Sequence, residues 1–209
     1  MSSKFFLLST ATCIAASASA PADSLKELIE YARRNPGKIS YGTSGIGTGQ
    51  HLAAELIKQL TGTDMVHVPY KSGAQVTTNL VGGQIPVSFG VLATAVPYLK
   101  SGKLKLLAII NDKRYQSLPD VPTVGEIIPG FESPPTWVGY FAPAGLPQPL
   151  LARLHAEMVK AVIAPEVAAK LGNVGFTVTT DAPGAFTSAI RQDIELVGRI
   201  VKAAGVQPE

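Results

Sequence analysis

Two short turns in this sequence carry the residue types that hold small anions. The first, Gly42-Thr43-Ser44-Gly45-Ile46-Gly47-Thr48-Gly49, sets glycines and hydroxyls directly before Leu52, Leu56 and Leu60, whose spacing of four makes one apolar helix face. The second, Pro69-Tyr70-Lys71-Ser72-Gly73-Ala74, follows a short strand at 65–68 and leads into a helical stretch at 75–81. A helix start offers backbone N–H groups without acceptors and the positive end of the dipole, so a carboxylate or phosphate is the natural guest. In an α/β fold both turns open at the carboxyl edge of one sheet. The competing reading is a tight strand-to-helix turn whose glycines serve geometry alone.

Other chemistries fit worse. No Lys-Ser or Lys-Thr follows the last glycine, which excludes a P-loop, and no acidic residue closes a second strand about 20 residues on, as a dinucleotide site requires. Ser44 and Ser72 have no histidine placed to activate them, so the sequence shows no catalytic constellation; an esterase built on Ser44 stays open as a third reading. His51 lies one turn into its helix and reads as structural, while His67 within a strand and His155 opposite Leu154 do not suggest a base. Trp137 reads as core. Lys71 is either a ligand contact or a solvated charge. The single cysteine, Cys13, rules out an intramolecular disulfide and a thiolate zinc site, and no metal or cofactor is expected.

The elements that must position these turns follow from composition and pattern. A hydrophobic content of 46% over 209 residues supports a packed core. The 18 basic and 15 acidic residues are scattered, with no basic cluster interleaved with aromatics, so nucleic acid is not an expected partner. Leu25, Leu28, Ile29 and Ala32 mark a helix capped by Asp23 or Ser24 and stopped by Asn35-Pro36-Gly37, after which 38–42 reads as a strand. Beyond the two turns, 85–91 is a strand with Pro86 at its start, 93–100 a short helix, and 104–110 an apolar run suited to a strand buried on both faces of a parallel sheet. Five prolines between 115 and 135 describe a connector around one helical turn at 124–128. A strand at 137–142, helices at about 147–162 and 166–171, a strand at 176–178 and a last helix through Phe186, Ile190, Ile194, Val197 and Val201 complete the chain. The repeated strand-helix-strand order predicts an α/β fold with parallel strands and right-handed crossovers.

Residues 1–20 have two readings. Lys4, the apolar Phe5-Phe6-Leu7-Leu8 and the small residues Ala18-Ser19-Ala20 describe a secretory leader, with Pro21 and the interrupting Ser9, Thr10 and Thr12 against it. Alternatively, 12–17 is a small-residue strand of the fold itself. The expected division is 1–20 as leader or interdomain strand remnant, 21–135 as the anion-binding lobe, and 136–209 as part of a second lobe. With only two expected strands, the second lobe looks undersized.

Beyond these patterns, the order Asn35-Pro36-Gly37-Lys38, Tyr41-Gly42-Thr43-Ser44-Gly45, His51-Leu52 and Val66-His67-Val68-Pro69-Tyr70-Lys71 resembles the extracytoplasmic solute receptors of tripartite tricarboxylate transporters, the Bug family. The likeness continues through Gly82-Gly83-Gln84, Leu118-Pro119-Asp120-Val121-Pro122-Thr123, Ala142-Pro143-Ala144-Gly145 and Lys202-Ala203-Ala204-Gly205. The resemblance implies a type II periplasmic-binding-protein-like, two-lobed fold that closes over a small organic carboxylate, with one lobe complete and the other partial. It implies a periplasmic, non-enzymatic, monomeric receptor that delivers its ligand to membrane permease subunits. Ligand contacts are implied at Thr43, Ser44, Gly45, Gly47, Thr48 and Gly49, at Tyr70, Lys71, Ser72, Gly73 and Ala74, and at Gly90, with a hinge crossing near 136–139. Many relatives carry Asp or Asn where Gly90 stands, so a simple di- or tricarboxylate is favoured over an amino acid. The family's opening lobe segment has no counterpart here, which leaves a truncated, non-binding remnant as the alternative.

Overall fold

The computed structural model describes residues 4–115, 117–173, 175–180 and 183–205. They form two compact units, a larger one of residues 11–135 with 197–209 and a smaller one of residues 1–10 with 136–196. The chain crosses between them after Thr10, after Pro135 and inside its last helix, after Leu196. Strand β1 (Lys4–Thr10) therefore belongs to the smaller unit, and β2 (Thr12–Ser17) opens the larger.

In the larger unit, α1 (Leu25–Arg34), β3 (Ser40–Thr43), α2 (Gly49–Thr61), β4 (Val66–Pro69), α3 (Gly73–Val81), β5 (Val87–Val91), α4 (Leu92–Leu99), β6 (Leu104–Ile109) and α5 (Val124–Ile127) follow in order. Ser24 is the cap of α1, its hydroxyl accepting from the Glu27 amide at 3.2 Å. The five strands lie in the order β4-β3-β5-β2-β6. Strand β3 is parallel to β4 and β5, whereas β2 runs antiparallel to β5 and β6, so the sheet is mixed rather than wholly parallel as expected.

The cause of the mixture is β2 itself, which enters from the smaller unit instead of from a crossover helix. All six of its residues are buried. Its side chains alternate between the two cores, Ile14 and Ala16 on one face, Cys13 and Ala15 on the other. Small residues suit a strand covered on both sides. Removal of residues 1–20 would take out the strand between β5 and β6.

Strand β6 corrects a second expectation, because it is an antiparallel edge strand and not an inner parallel one. Its apolar run still has two faces to fill, with Leu107 and Ala108 in one core and Leu104 and Ile109 in the other. The connector covers its open edge, where the Ile109 amide donates to Pro122 O at 2.8 Å.

The smaller unit holds β7 (Trp137–Phe141), α6 (Gln148–Ile163), α7 (Pro165–Asn173), β8 (Phe176–Thr179) and α8 (Pro183–Ala204), the last running on into the larger unit. Its sheet is β7-β1-β8, with β1 in the middle and antiparallel to both neighbours. The strand missing from the sequence count is thus supplied by residues 4–10. The expected division into 1–20, 21–135 and 136–209 shifts accordingly, since 1–10 joins 136–196, and 11–20 and 197–209 join the larger unit. Trp137 is built into this unit, its indole donating to Asp193 Oδ2 at 2.7 Å and its ring edge-on to Phe186. At the expected hinge, the Thr10 amide donates to Thr136 O at 3.0 Å and the Thr136 hydroxyl donates back to Thr10 O at 3.1 Å. Among the described residues no helix is long and apolar enough to cross a membrane.

Candidate functional site

Because β3, β4 and β5 are parallel, their carboxyl ends at Thr43, Pro69 and Val91 reach the same edge of the larger unit's sheet. The antiparallel β2 starts there, with Thr12 opposite Val91. The turn at 44–48 joins β3 to α2, and the turn at 70–72 joins β4 to α3. The two meet, the Tyr70 amide donating to Thr43 O at 2.9 Å. Gly42 makes the approach possible, since a Cβ there would lie 2.5 Å from Ile85 Cδ1 and 3.1 Å from the Tyr70 ring. Within the first turn, Gly45 at φ 137° and Gly47 at φ 74° hold backbone conformations that side chains disfavour.

Each helix start is capped by a hydroxyl. Thr48 Oγ1 accepts from the His51 amide at 3.3 Å and donates to Gly45 O at 2.8 Å, while Ser72 Oγ accepts from the Gln75 amide at 3.3 Å. Capping thus serves the third amide of each helix. The amides of Gly49 and Gln50 in α2, and of Gly73 and Ala74 in α3, have no helical acceptor.

A cavity of about 80 Å³ runs from this edge toward Leu80 and Leu104. Ser44, Gly73 and Gly90 line it, joined by Gln50, Ser88 and Thr94. The rest of the wall is largely apolar, including Cys13, Val76 and Phe89, and no charged side chain contributes to it. Burial pushes the Cys13 thiol up to about 12, so it acts as a neutral wall. The Thr94 hydroxyl is turned onto Val91 O at 2.8 Å. The Thr77 hydroxyl, also on the wall, donates to Gly73 O at 3.0 Å, which leaves Ser44, Gln50 and Ser88 as the other polar side chains of the lining.

Of the twelve expected contact residues, Ser44, Gly73 and Gly90 sit on the cavity wall. Gly45, Gly47, Thr48 and Gly49 shape the first turn beside it, and Tyr70 lies against Gly42. Lys71, Ser72 and Ala74 are exposed on the second turn. Thr43 is a correction, because it is fully buried and its hydroxyl lies 2.7 Å from His67 Nε2 and 3.1 Å from Gly45 O. It braces the turn from inside. Sequence reasoning stopped at Gly49 and missed Gln50, although the second residue of a capped helix carries one of its unsatisfied amides.

Behind the first turn stands a polar cluster that the sequence did not announce. The rings of His51 and His67 stack at 4.1 Å, and Tyr41 stacks on His67 at 5.0 Å. The Gly47 amide donates to His51 Nδ1 at 3.1 Å. The Tyr41 hydroxyl donates to Glu55 Oε1 at 2.5 Å, and Lys58 Nζ holds the same carboxylate at 2.8 and 3.0 Å. Burial, with the neighbouring His51 adding to it, pulls the His67 ring down to about 4. His51 is also lowered by burial, against the pull of Glu55. Burial works to raise Glu55, but the bonds from Lys58 and Tyr41 leave it below the usual carboxylate range. Both imidazoles are therefore neutral near pH 7. Among the described residues no group of three or more His, Cys, Asp or Glu side chains is placed to hold a metal ion.

Comparison with known proteins gives this geometry a context. A sequence model described as "Tripartite tricarboxylate transporter family receptor" matches residues 5–206. The "UPF0065 protein in tcbD-tcbE intergenic region" of Pseudomonas sp. strain P51 is 33% identical over 181 residues, which cover 84% of this chain and 54% of that protein. The chain thus spans about half the length of this curated relative. Among solved structures, Rpa4515 of R. palustris, determined with adipate, superimposes with a TM-score of 0.89 at 27% identity, over 98% of this chain and 69% of that one. The periplasmic binding protein BugD superimposes with a TM-score of 0.87 at 29% identity, over 100% of this chain and 71% of that one. The α/β fold is that of periplasmic binding proteins, and the matched family is one of receptors rather than enzymes.

Proposed function

The chain belongs to the tripartite tricarboxylate transporter receptor family, and from that premise we propose that it binds a small organic carboxylate where the turns at 44–48 and 70–72 meet. It works in the periplasm and passes its ligand to the membrane permease subunits of a tripartite transporter. One observation carries this reading: Ser44 after β3, Gly73 at the start of α3 and Gly90 near the end of β5 line a single cavity flanked by the starts of α2 and α3. The relative solved with adipate supports the ligand class. A carboxylate held by the amides of Gly49, Gln50, Gly73 and Ala74 and the hydroxyl of Ser44 needs no buried cation, because each amide-to-carboxylate bond is charge-assisted.

Calorimetric titration of the purified protein with citrate, succinate, glutarate and nicotinate tests the proposal. Saturable heat with at least one of them is expected, and no heat at millimolar ligand defeats it. The span of about half a relative's length favours one second reading, a fragment that folds without binding. A single cooperative melting transition of a monomer together with silent titrations would support that alternative.

A further inference from the structure

We propose that His51 is a positioning residue for the turn at 44–48, its neutral ring holding the turn that carries Ser44 and releasing it on protonation. The Gly47 amide donates to His51 Nδ1, so Nδ1 must present a lone pair, and the neutral ring carries its proton on Nε2, which lies 3.8 Å from Glu55 Oε1. A second proton would arrive on Nδ1 and set two N–H donors against each other. The ring cannot turn away to absorb it, being 7% exposed and stacked on His67. The turn gives way instead.

The groups facing His51 set the titration. On its own helix these are Glu55 and Lys58, on β4 His67, and on β3 Tyr41, which stacks on His67 and donates to Glu55. Glu55 favours the imidazolium, yet Lys58 and Tyr41 already hold that carboxylate. His67 opposes a second charge at 4.1 Å. Thr43 links the pair to the turn from below, touching His67 Nε2, Gly45 N and Gly45 O. A cation formed at His51 thus meets the Gly47 amide directly.

The consequence for ligand binding rests on the receptor reading, but the structural claim is tested without ligand. The Gly47 amide resonance and the His51 imidazole resonances are followed by NMR from about pH 8 down to about pH 4. The expected result is a Gly47 shift with the inflection of the His51 ring, while the Gly73 amide of the other turn stays level. His51→Asn places Oδ1 where Nδ1 stands, accepting without titrating, and its Gly47 amide is expected to be independent of pH. Carboxylate affinity, corrected for the ligand's own protonation, is expected to fall about fivefold or more across the same range in the wild type, the worth of one lost hydrogen bond, and that residual fall is expected to be absent in H51N. A Gly47 amide that ignores the His51 titration, a ring that stays neutral until the protein unfolds, or an H51N protein that follows the wild-type curve overturns the proposal. If H51N does not fold, the wild-type titration decides alone. If no carboxylate binds at any pH, the receptor reading fails and the amide titration still decides this one.

Discussion

Behind the turn at 44–48 stand Tyr41, His67 and His51, stacked ring on ring, whereas the turn at 70–72 carries Lys71 and Ser72 in solvent and is held chiefly by its own first residue. Both follow a parallel strand and both end in a hydroxyl cap. What separates them is backbone conformation. The first passes through two glycines at positive φ before its helix begins, a path that glycine takes without strain, and the ring stack packs behind it. The second has its cap, the Tyr70 amide on Thr43 O and the Lys71 amide on Gln75 Oε1 at 3.3 Å. A hydroxyl before a helix therefore makes a turn in both places, and the first turn adds glycine geometry and a packed ring stack behind it.

The contrast can be broken most severely at Gly42, where the two turns share a support. Gly42→Val would push against Ile85 and the Tyr70 ring together, and overpacking of this kind costs about 1–3 kcal/mol. Denaturant unfolding should show that loss, and a change below about 0.5 kcal/mol would mean that the Tyr70 ring is free to move aside.

Acid should act on the braced turn and spare the other. The folded His67 ring is lowered to about 4, below its value of about 6.5 in an unfolded chain, so the unfolded state binds more protons in between. Stability from this group is present above about pH 6.5 and is lost as pH falls toward about 4. His67→Phe keeps a stacked ring and removes the titration. Melting curves across that window should flatten in this variant, and an unchanged pH slope would place the acid sensitivity elsewhere.

The two caps differ by a smaller amount. Thr48→Ala loses both the cap on His51 and the bond to Gly45 O, while Ser72→Ala loses its cap on Gln75. Each cap is worth about 1 kcal/mol, with Thr48 expected toward 2 and Ser72 toward 0.5. Equal losses by thermal melting would show that the Thr48-to-Gly45 bond adds nothing.

The sequence made both turns legible because glycine and hydroxyl residues directly before a helical apolar stripe have a local cause. Ser44, Gly73 and Gly90, contact positions that the family resemblance implied, lie on the wall of one cavity. The sequence could not show the stack, because His51 sits on α2 and His67 on β4, and only the parallel pairing of β3 with β4 sets Tyr41 level with His67. The same blindness explains β1 and β2. The small residues of 12–17 fit a leader template as well as a strand, and the strand partners, β7 and β8 for β1 and β5 and β6 for β2, lie far along the chain. Local pattern also misjudged β6, whose apolar run records two packed faces but not the direction of its neighbour.

The smallest expected effect lies at Lys71, and it tests whether the exposed turn contributes charge or only shape. Its side chain is in solvent and is not part of the cavity lining, so Lys71→Ala should leave the melting temperature within the range of ordinary surface changes, about 0.5 kcal/mol. An exposed cation still attracts a carboxylate at a distance, and salt screens that attraction over about 10 Å at 0.1 M. Wild-type affinity for a carboxylate should therefore weaken as salt is raised, and K71A should show lower affinity at low salt with a shallower salt dependence. If K71A instead abolishes binding at every salt concentration, Lys71 touches the ligand directly. The exposed turn would then be the one that recognises charge, with the braced turn reduced to forming the wall behind it.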